Sequence, residues 1–301
     1  MIEIKNLTMV YPISGKGIFN IDLSVAKGQV VGFLGPNGAG KTTTIRCLLG
    51  FMRGKEGRCT INGQNCFENA PENMRDVGFI AGEPAFPDAM TGLEYLNFLI
   101  DVRTRKDENH SRRDTMHKKM QELIRYFEFD PKGKIKRMSK GMKQKTAIVA
   151  AFMHTPAVLI LDEPTSGLDP LMQNKFVELL LEEKKRDATI LMSSHMFEEV
   201  ERTCEDVVII KDGKIVAADK VKNLKRTQKI TFIVTSPESK KIKLSFDTAI
   251  LEKDKIETVV PCDQVDKFIK ELSKYNVKWL KIKEQSLEDV FMGLYTEGEA
   301  K

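Results

Sequence analysis

The chain has 301 residues, of which 41% are hydrophobic and 30% charged, the profile of a soluble globular protein with a real core. The length suits one large or two ordinary domains, at roughly 150 residues each. The net charge of +5 suits an anionic ligand or a membrane surface and does not by itself imply nucleic acid. The longest apolar run, Ala147 to Met153, falls well short of the ~18 residues that a membrane span requires. The cysteines (Cys47, Cys59, Cys66, Cys204, Cys262) are odd in number and form no CxxC pair. They read as reduced thiols of a cytoplasmic protein, not as a disulfide framework or zinc site.

Met1-Ile2-Glu3-Ile4 opens directly into strand-like alternation, so no signal peptide is expected. Gln29 to Leu34 is an apolar, β-rich run that reads as a buried strand, and Thr43 to Leu49 reads as a helix. Between them stands Gly35-Pro36-Asn37-Gly38-Ala39-Gly40-Lys41-Thr42, which fits G-x-x-x-x-G-K-[ST] without exception. Glycines let backbone N–H groups curl around an anion, and the helix N-terminus adds partial positive charge. Lys41 is positioned to reach the outer phosphates of a nucleotide, and the Thr42 hydroxyl offers Mg²⁺ a hard oxygen ligand.

Turn signals at Arg53-Gly54 and Asn62-Gly63 separate short strands up to about Ala81. From about Ala89 the pattern is helical. Thr91 and Glu94 form a capping pair before Leu93, Leu96 and Phe98, and Met116 to Phe127 reads as a second helix. The basic residues between Arg103 and Lys119, Lys106 among them, read as a solvated face, with lipid headgroups or a membrane-proximal partner as the functional alternative. Ser139 to Phe152 reads as a helix. Ala157 to Leu161 reads as a central parallel strand, Leu171 to Lys185 as a helix and Thr189 to Met192 as another strand. This alternation predicts a doubly wound α/β sheet. From Asn223 the pattern changes. Ile230 to Val234, Ile242 to Phe246, Ile256 to Val260 and Val277 to Ile282 read as strands, with a turn at Ser236-Pro237 and a helix over Val265 to Leu272. The expected division is therefore 1–222 and a small α+β domain at 223–301.

Asp162 ends an apolar strand and Glu163 follows it, in Leu161-Asp162-Glu163-Pro164-Thr165-Ser166-Gly167-Leu168-Asp169. Beside a phosphate-binding loop, such an Asp helps to hold Mg²⁺ and the adjacent acid can polarise an attacking water.

With these segments the chain resembles the nucleotide-binding subunit of an ATP-binding-cassette transporter, over residues 1 to about 220. The motifs stand in the family's order: the loop Gly35 to Thr42, a signature Met138-Ser139-Lys140-Gly141-Met142-Lys143-Gln144, the acidic strand with Glu163, the dimer-contact loop Ser166 to Asp169, and His195 in Ser193-Ser194-His195. The resemblance implies a phosphate-loop core with an antiparallel β subdomain and a helical subdomain at about 89–155. It implies bound ATP and Mg²⁺, adenine stacked on Tyr11, and Thr43 beside the phosphates. Glu163 is the implied base and His195 the switch that contacts the γ-phosphate. Ser139 and Gly141 would face the nucleotide of a second subunit, a copy or a paralogue, in a head-to-tail dimer.

A separate transmembrane permease is also implied, received near Ala81 to Thr91, where Phe86 and Met90 are expected to be exposed. The subunit is then cytoplasmic, peripheral on the inner face of the membrane, without a span of its own and without nucleic acid. Where the family has a Mg²⁺-binding glutamine, this chain has Gly82 followed by Glu83: either Glu83 ligates, or that metal contact is absent. The Ser-Lys-Gly-Met signature and the segment Gln285 to Phe291 are similar to exporter-type members. Within that segment Ser286 reads as the cap of a helix that packs through Leu287, Val290, Phe291 and Leu294. The alternative is a soluble cassette ATPase of translation or repair, which usually carries a second cassette or a long coiled coil; neither is present in the sequence.

Overall fold

The computed structural model describes residues 1–105, 111–234, 244–250 and 255–296. They fall into two compact units, Met1–Ala218 and Asp219–Lys301. In the first unit the central sheet has the strand order β10-β9-β3-β8-β7-β6. These strands are β3 (Val30–Leu34), β6 (Val77–Ile80), β7 (Val158–Asp162), β8 (Thr189–Ser194), β9 (Asp206–Lys211) and β10 (Lys214–Lys220). Every residue of β3, β7 and β8 is buried, which explains their near-continuous apolar sequences.

Pairing from β9 through β3, β8 and β7 to β6 is parallel. The register sets Leu34 opposite Ser194 and Asp162 opposite Ser193. The carboxyl ends of three strands thus arrive together, the edge at which open α/β sheets bind ligands.

A second, antiparallel sheet contains β1 (Ile2–Val10), β2 (Gly17–Val25), β4 (Glu56–Ile61) and β5 (Gln64–Asn65), in the order β2-β1-β4-β5. Its apolar face, with Ile2, Ile4, Ile21 and Leu23, shares one core with Ile45 and Leu48 of helix α1 (Lys41–Leu48) and with Phe33 of β3. The loop that precedes α1 is therefore anchored on both sides.

The helical part contains α3 (Gly92–Thr104), α4 (Ser111–Tyr126) and α5 (Lys140–Phe152). Thr91 Oγ1 accepts from Glu94 N at 3.1 Å and Glu94 Oε2 accepts from Thr91 N at 2.7 Å, the reciprocal box that the sequence predicts. Helix α2 (Ala70–Asp76) ends against Arg103, whose guanidinium donates to the carbonyls of Met74, Arg75 and Val77. Met74 and Arg75 lie in the last turn of α2, where helix carbonyls need partners from outside the helix. Phe86 and Met90 are half-buried, not exposed, and Phe86 meets the Tyr95 ring edge-on at 5.1 Å. The exposed apolar side chains of this region are Phe51, Phe67, Phe98 and Val102.

The second unit contains an antiparallel sheet, β12-β13-β11-β14, made of β11 (Thr227–Val234), β12 (Thr248–Ile250), β13 (Ile256–Pro261) and β14 (Val277–Glu284). Helix α9 (Val265–Leu272) joins its core through Phe268 and Leu272, against Ile230, Phe232 and Val260. Leu244 to Phe246 form no strand, although their side chains reach that core. Ile242 and the Ser236-Pro237 turn lie outside the described residues. Ser286 caps α10 (Leu287–Thr296) by accepting from Asp289 N at 3.1 Å, and Leu287 and Phe291 are buried; the Leu294 side chain lies outside the described residues.

Candidate active site

Gly35 to Gly40 leave the end of β3 and curl into α1. Gly38 and Gly40 adopt φ of 82° and 113°, which side chains disfavour. A Cβ on Gly40 would stand 2.7 Å from the Ile18 side chain, so the loop is closed against β2 as well. Pro36, Asn37, Gly38, Gly40, Lys41, Thr42 and Thr43 line a recess of about 130 Å³ together with Glu163. Ala39 is buried beneath it, with its N–H bonded to Pro36 O at 3.2 Å.

Lys41 is 5% exposed, and its Nζ donates to Gly35 O at 2.5 Å and to Pro36 O at 3.2 Å. Burial pushes its pKa down, while the charges of Glu163 and Asp162 oppose that shift. Thr42 donates to Asp162 Oδ2 at 2.8 Å, and Ser193 donates to the other oxygen of the same carboxylate.

Glu163 follows Asp162 with a φ of 47°, a left-handed conformation uncommon for a side-chain-bearing residue. Its N–H is held by Ser193 O at 3.1 Å and by Ser193 Oγ at 3.2 Å. The turned backbone sends the carboxylate between two cations or donors. Oε1 lies 3.9 Å from Lys41 Nζ, and Oε2 lies 3.3 Å from His195 Nδ1. Strand β8 ends at Ser194, so His195 stands directly beyond the sheet edge, and its side chain is 59% exposed.

A larger cleft, about 720 Å³, opens beside Thr42 and Asp162. Gly82, Glu83, Phe79, Phe51, Lys140 and Ser166 contribute to its walls. Glu83 is exposed there, on the side of the cleft that carries Gly82. A Cβ on Gly82 would meet Asp162 Oδ2 at 3.5 Å, an ordinary contact distance. Tyr11 follows β1, half-buried, with its hydroxyl 3.3 Å from Thr43 Oγ1 and 3.6 Å from Met52 Sδ.

Ser139 caps α5 by accepting from Met142 N at 3.2 Å. Such a cap is worth about 1 kcal/mol. Gly141 is where a Cβ would come within 2.9 Å of Gly167 O, so glycine permits the close approach of the start of α5 and the Ser166–Asp169 loop. The structure thus gathers Gly35 to Thr43, Asp162, Glu163, His195 and Tyr11 at one edge, and sets Gly141 against the Ser166–Asp169 loop, while Ser139 stands just before it as the cap of α5.

Some supporting residues escape sequence reasoning. Gln144, 1% exposed, donates to Pro164 O at 2.6 Å and ties α5 to the segment after Glu163. Lys140 Nζ donates to Ser166 Oγ at 3.0 Å. Ser193 serves both acids. A signal existed for Gln144 and Lys140, since both lie inside the signature segment, but their partners are set by tertiary structure.

A family model described as "ABC transporter" matches residues 18–166. The chain is 34% identical over 312 residues to the bacitracin transport ATP-binding protein BcrA of Bacillus licheniformis, covering 99% of this chain and 98% of that one. The chain belongs to the ABC transporter family, as an ATP-binding subunit. The ABC subunit also shares 28% identity over 294 residues with the fluoroquinolones export ATP-binding protein MT2762 of Mycobacterium tuberculosis, covering 97% of the chain and 92% of the relative. Among solved structures, an ATP-binding subunit of an ABC transporter superposes with a TM-score of 0.68 at 31% identity, over 75% of this chain and 92% of that one. The fold is the ABC ATPase fold, and the enzyme activity of the family is ATP hydrolysis. No helix among the described residues is long and apolar enough to cross a membrane.

Proposed function

We propose that this ABC ATPase drives substrate export through a separate transmembrane permease, from the inner face of the cell membrane. The observation that carries the hydrolytic part is the position of Glu163, 3.9 Å from Lys41 Nζ and 3.3 Å from His195 Nδ1. Loop amides and Lys41 would bind the β- and γ-phosphates and stabilise charge as the phosphoryl group transfers. Glu163 accepts a proton from the attacking water, and His195 orients that water toward the γ-phosphate. Tyr11 offers its ring to adenine at the Thr43 end of the loop.

The residues present fit Mg²⁺. Thr42 Oγ1 and Asp162 Oδ2 are hard oxygen donors 2.8 Å apart, close to the ~2.9 Å edge of an octahedron with bonds of about 2.0–2.1 Å. Among the described residues no group of three His, Cys, Asp or Glu could hold a metal, so phosphates and water would complete the shell, as is usual for this ion. Glu83 is the further candidate ligand. The ion, when bound, neutralises phosphate charge.

Ser139 and Gly141 would cover the nucleotide of a second subunit, a copy or a paralogue. Two ATP molecules then hold the pair together, and hydrolysis releases it. The export direction draws support from relatives named for bacitracin transport and fluoroquinolone export, each aligned over nearly the whole chain. These full-length likenesses favour transport over a soluble role in translation or repair.

The test is Glu163→Gln. With ATP and Mg²⁺ the variant should elute as a dimer, and hydrolysis should slow by roughly 10²–10⁴-fold, the usual worth of a general base. Hydrolysis at the wild-type rate would show that the base is another residue. Co-purification of a membrane protein with the tagged chain tests the permease.

A further inference from the structure

A buried acid stands behind the site and takes no part in the reaction described above. Glu199 lies on α7 (Phe197–Thr203) and is 5% exposed. The Ser194 hydroxyl donates to Glu199 Oε2 at 3.1 Å. The same Ser194 oxygen accepts from Met196 N at 2.9 Å and so closes the turn in which His195 sits. The other Glu199 oxygen, Oε1, is buried without a hydrogen-bond partner among the described residues. Thr203 donates to Glu199 O at 2.7 Å and anchors the residue in α7.

His195 is thus held from two sides: in front it meets Glu163, and behind it Glu199 takes the hydroxyl of its neighbour Ser194. The front contact is solvent-accessible, and its histidine is more than half exposed. An exposed pair holds its geometry poorly by itself, because ordering long side chains costs entropy. The rear contacts are buried, where hydrogen bonds are stronger and rupture leaves unpaired polar groups. Burial also raises the pKa of Glu199, against the opposing effect of Thr165, Ser194, His195 and Arg202, so the acid is retained at a cost to folding.

We propose that Glu199 is a positioning residue for ATP hydrolysis, holding Ser194 and the turn it closes so that His195 stays at working distance from Glu163. The proposal rests on the roles given above to Glu163 and His195.

The experiment is a double-mutant cycle on steady-state ATPase activity in the full chain. Glu199→Ala should lower kcat at least tenfold and leave KM for ATP within twofold. Glu199→Gln, which keeps an acceptor oxygen, should retain at least half of wild-type kcat. In a His195→Ala background, Glu199→Ala should cost less than a further twofold. Ser194→Ala breaks the same link without removing the carboxyl, and its matching loss of kcat covers the case of an unfolded Glu199→Ala protein.

Two results overturn the positioning role of Glu199 while leaving His195 in its own: full kcat in folded Glu199→Ala, or a tenfold fall that persists in the His195→Ala background. Full activity of His195→Ala alone would instead remove the role of His195 and that of Glu199 with it.

Discussion

The Thr42 hydroxyl reaches across 2.8 Å to Asp162 Oδ2, and so joins the first turn of α1 to the tip of β7. The residues are 120 positions apart in sequence, and the register of the parallel sheet brings them together. Both oxygens are the kind that Mg²⁺ prefers. Asp162→Asn keeps the shape of the pair and removes the charge. The Mg²⁺ concentration for half-maximal hydrolysis should rise at least tenfold, read from a titration at saturating ATP. An unchanged Mg²⁺ requirement would take Asp162 out of the metal site.

Lys41 offers a test with two opposite signs. Its folded-state pKa is lowered, so the protonated amine opposes folding at every pH below that value and ceases to do so above the unfolded value near 10.5. Neutral pH lies in the range where the cost is felt. Lys41→Met keeps the aliphatic stem and removes the charge, so thermal stability without nucleotide should rise. ATP affinity should fall by roughly ten- to hundredfold, the worth of a charge-assisted contact of about 1.5–3 kcal/mol. A variant that lost both stability and affinity would show Lys41 to be a structural element of the loop.

The legibility of the site follows from how far apart in sequence its parts interact. The phosphate-binding loop is a contiguous segment whose glycines serve local backbone geometry, so Gly38 and Gly40 announce themselves. Asp162 and Glu163 are legible because an apolar strand ends there. Glu199 is not: a glutamate in Phe197-Glu198-Glu199 has no local mark of burial, and only the return of α7 against the end of β8 makes it an interior acid. Phe86 fails for the reverse reason. Its loop looks exposed, but Tyr95 on α3 comes to meet it. Helix α2 was also hidden, since Pro71 and Asn73 weaken its pattern while Arg103, from another helix, satisfies its end. In the second unit the alternation of Ile230 to Val234 marks a strand buried on one face, whereas Leu244 and Phe246 pack on that core without a ladder.

The resemblance sets Gly82 at the position of the family's metal-binding glutamine, and nothing steric demands the glycine. A Cβ there would sit 3.5 Å from Asp162 Oδ2, and the adjoining cleft of about 720 Å³ has room for a longer side chain. Gly82→Gln should therefore fold with unchanged thermal stability and lower the Mg²⁺ needed for hydrolysis. Glu83→Ala should move that requirement upward if Glu83 is the ligand used by this chain. The Mg²⁺ titration reads both, and an unmoved value in Glu83→Ala would leave this loop without a metal contact.

The acid limit of stability should trace in part to His154. It lies just beyond α5, 7% exposed, and burial together with the charge of Arg103 lowers its pKa to about 3. The unfolded chain takes up this proton near pH 6.5, so between pH 6.5 and 3 the unfolded state binds one more proton than the folded state. Stability from this residue is intact above that window and is lost as pH falls into it, by about 1.4 kcal/mol per unit. His154→Leu carries no such proton. Its urea midpoint should drop less than that of the wild type between pH 7.5 and 5. Equal drops would place the acid sensitivity elsewhere.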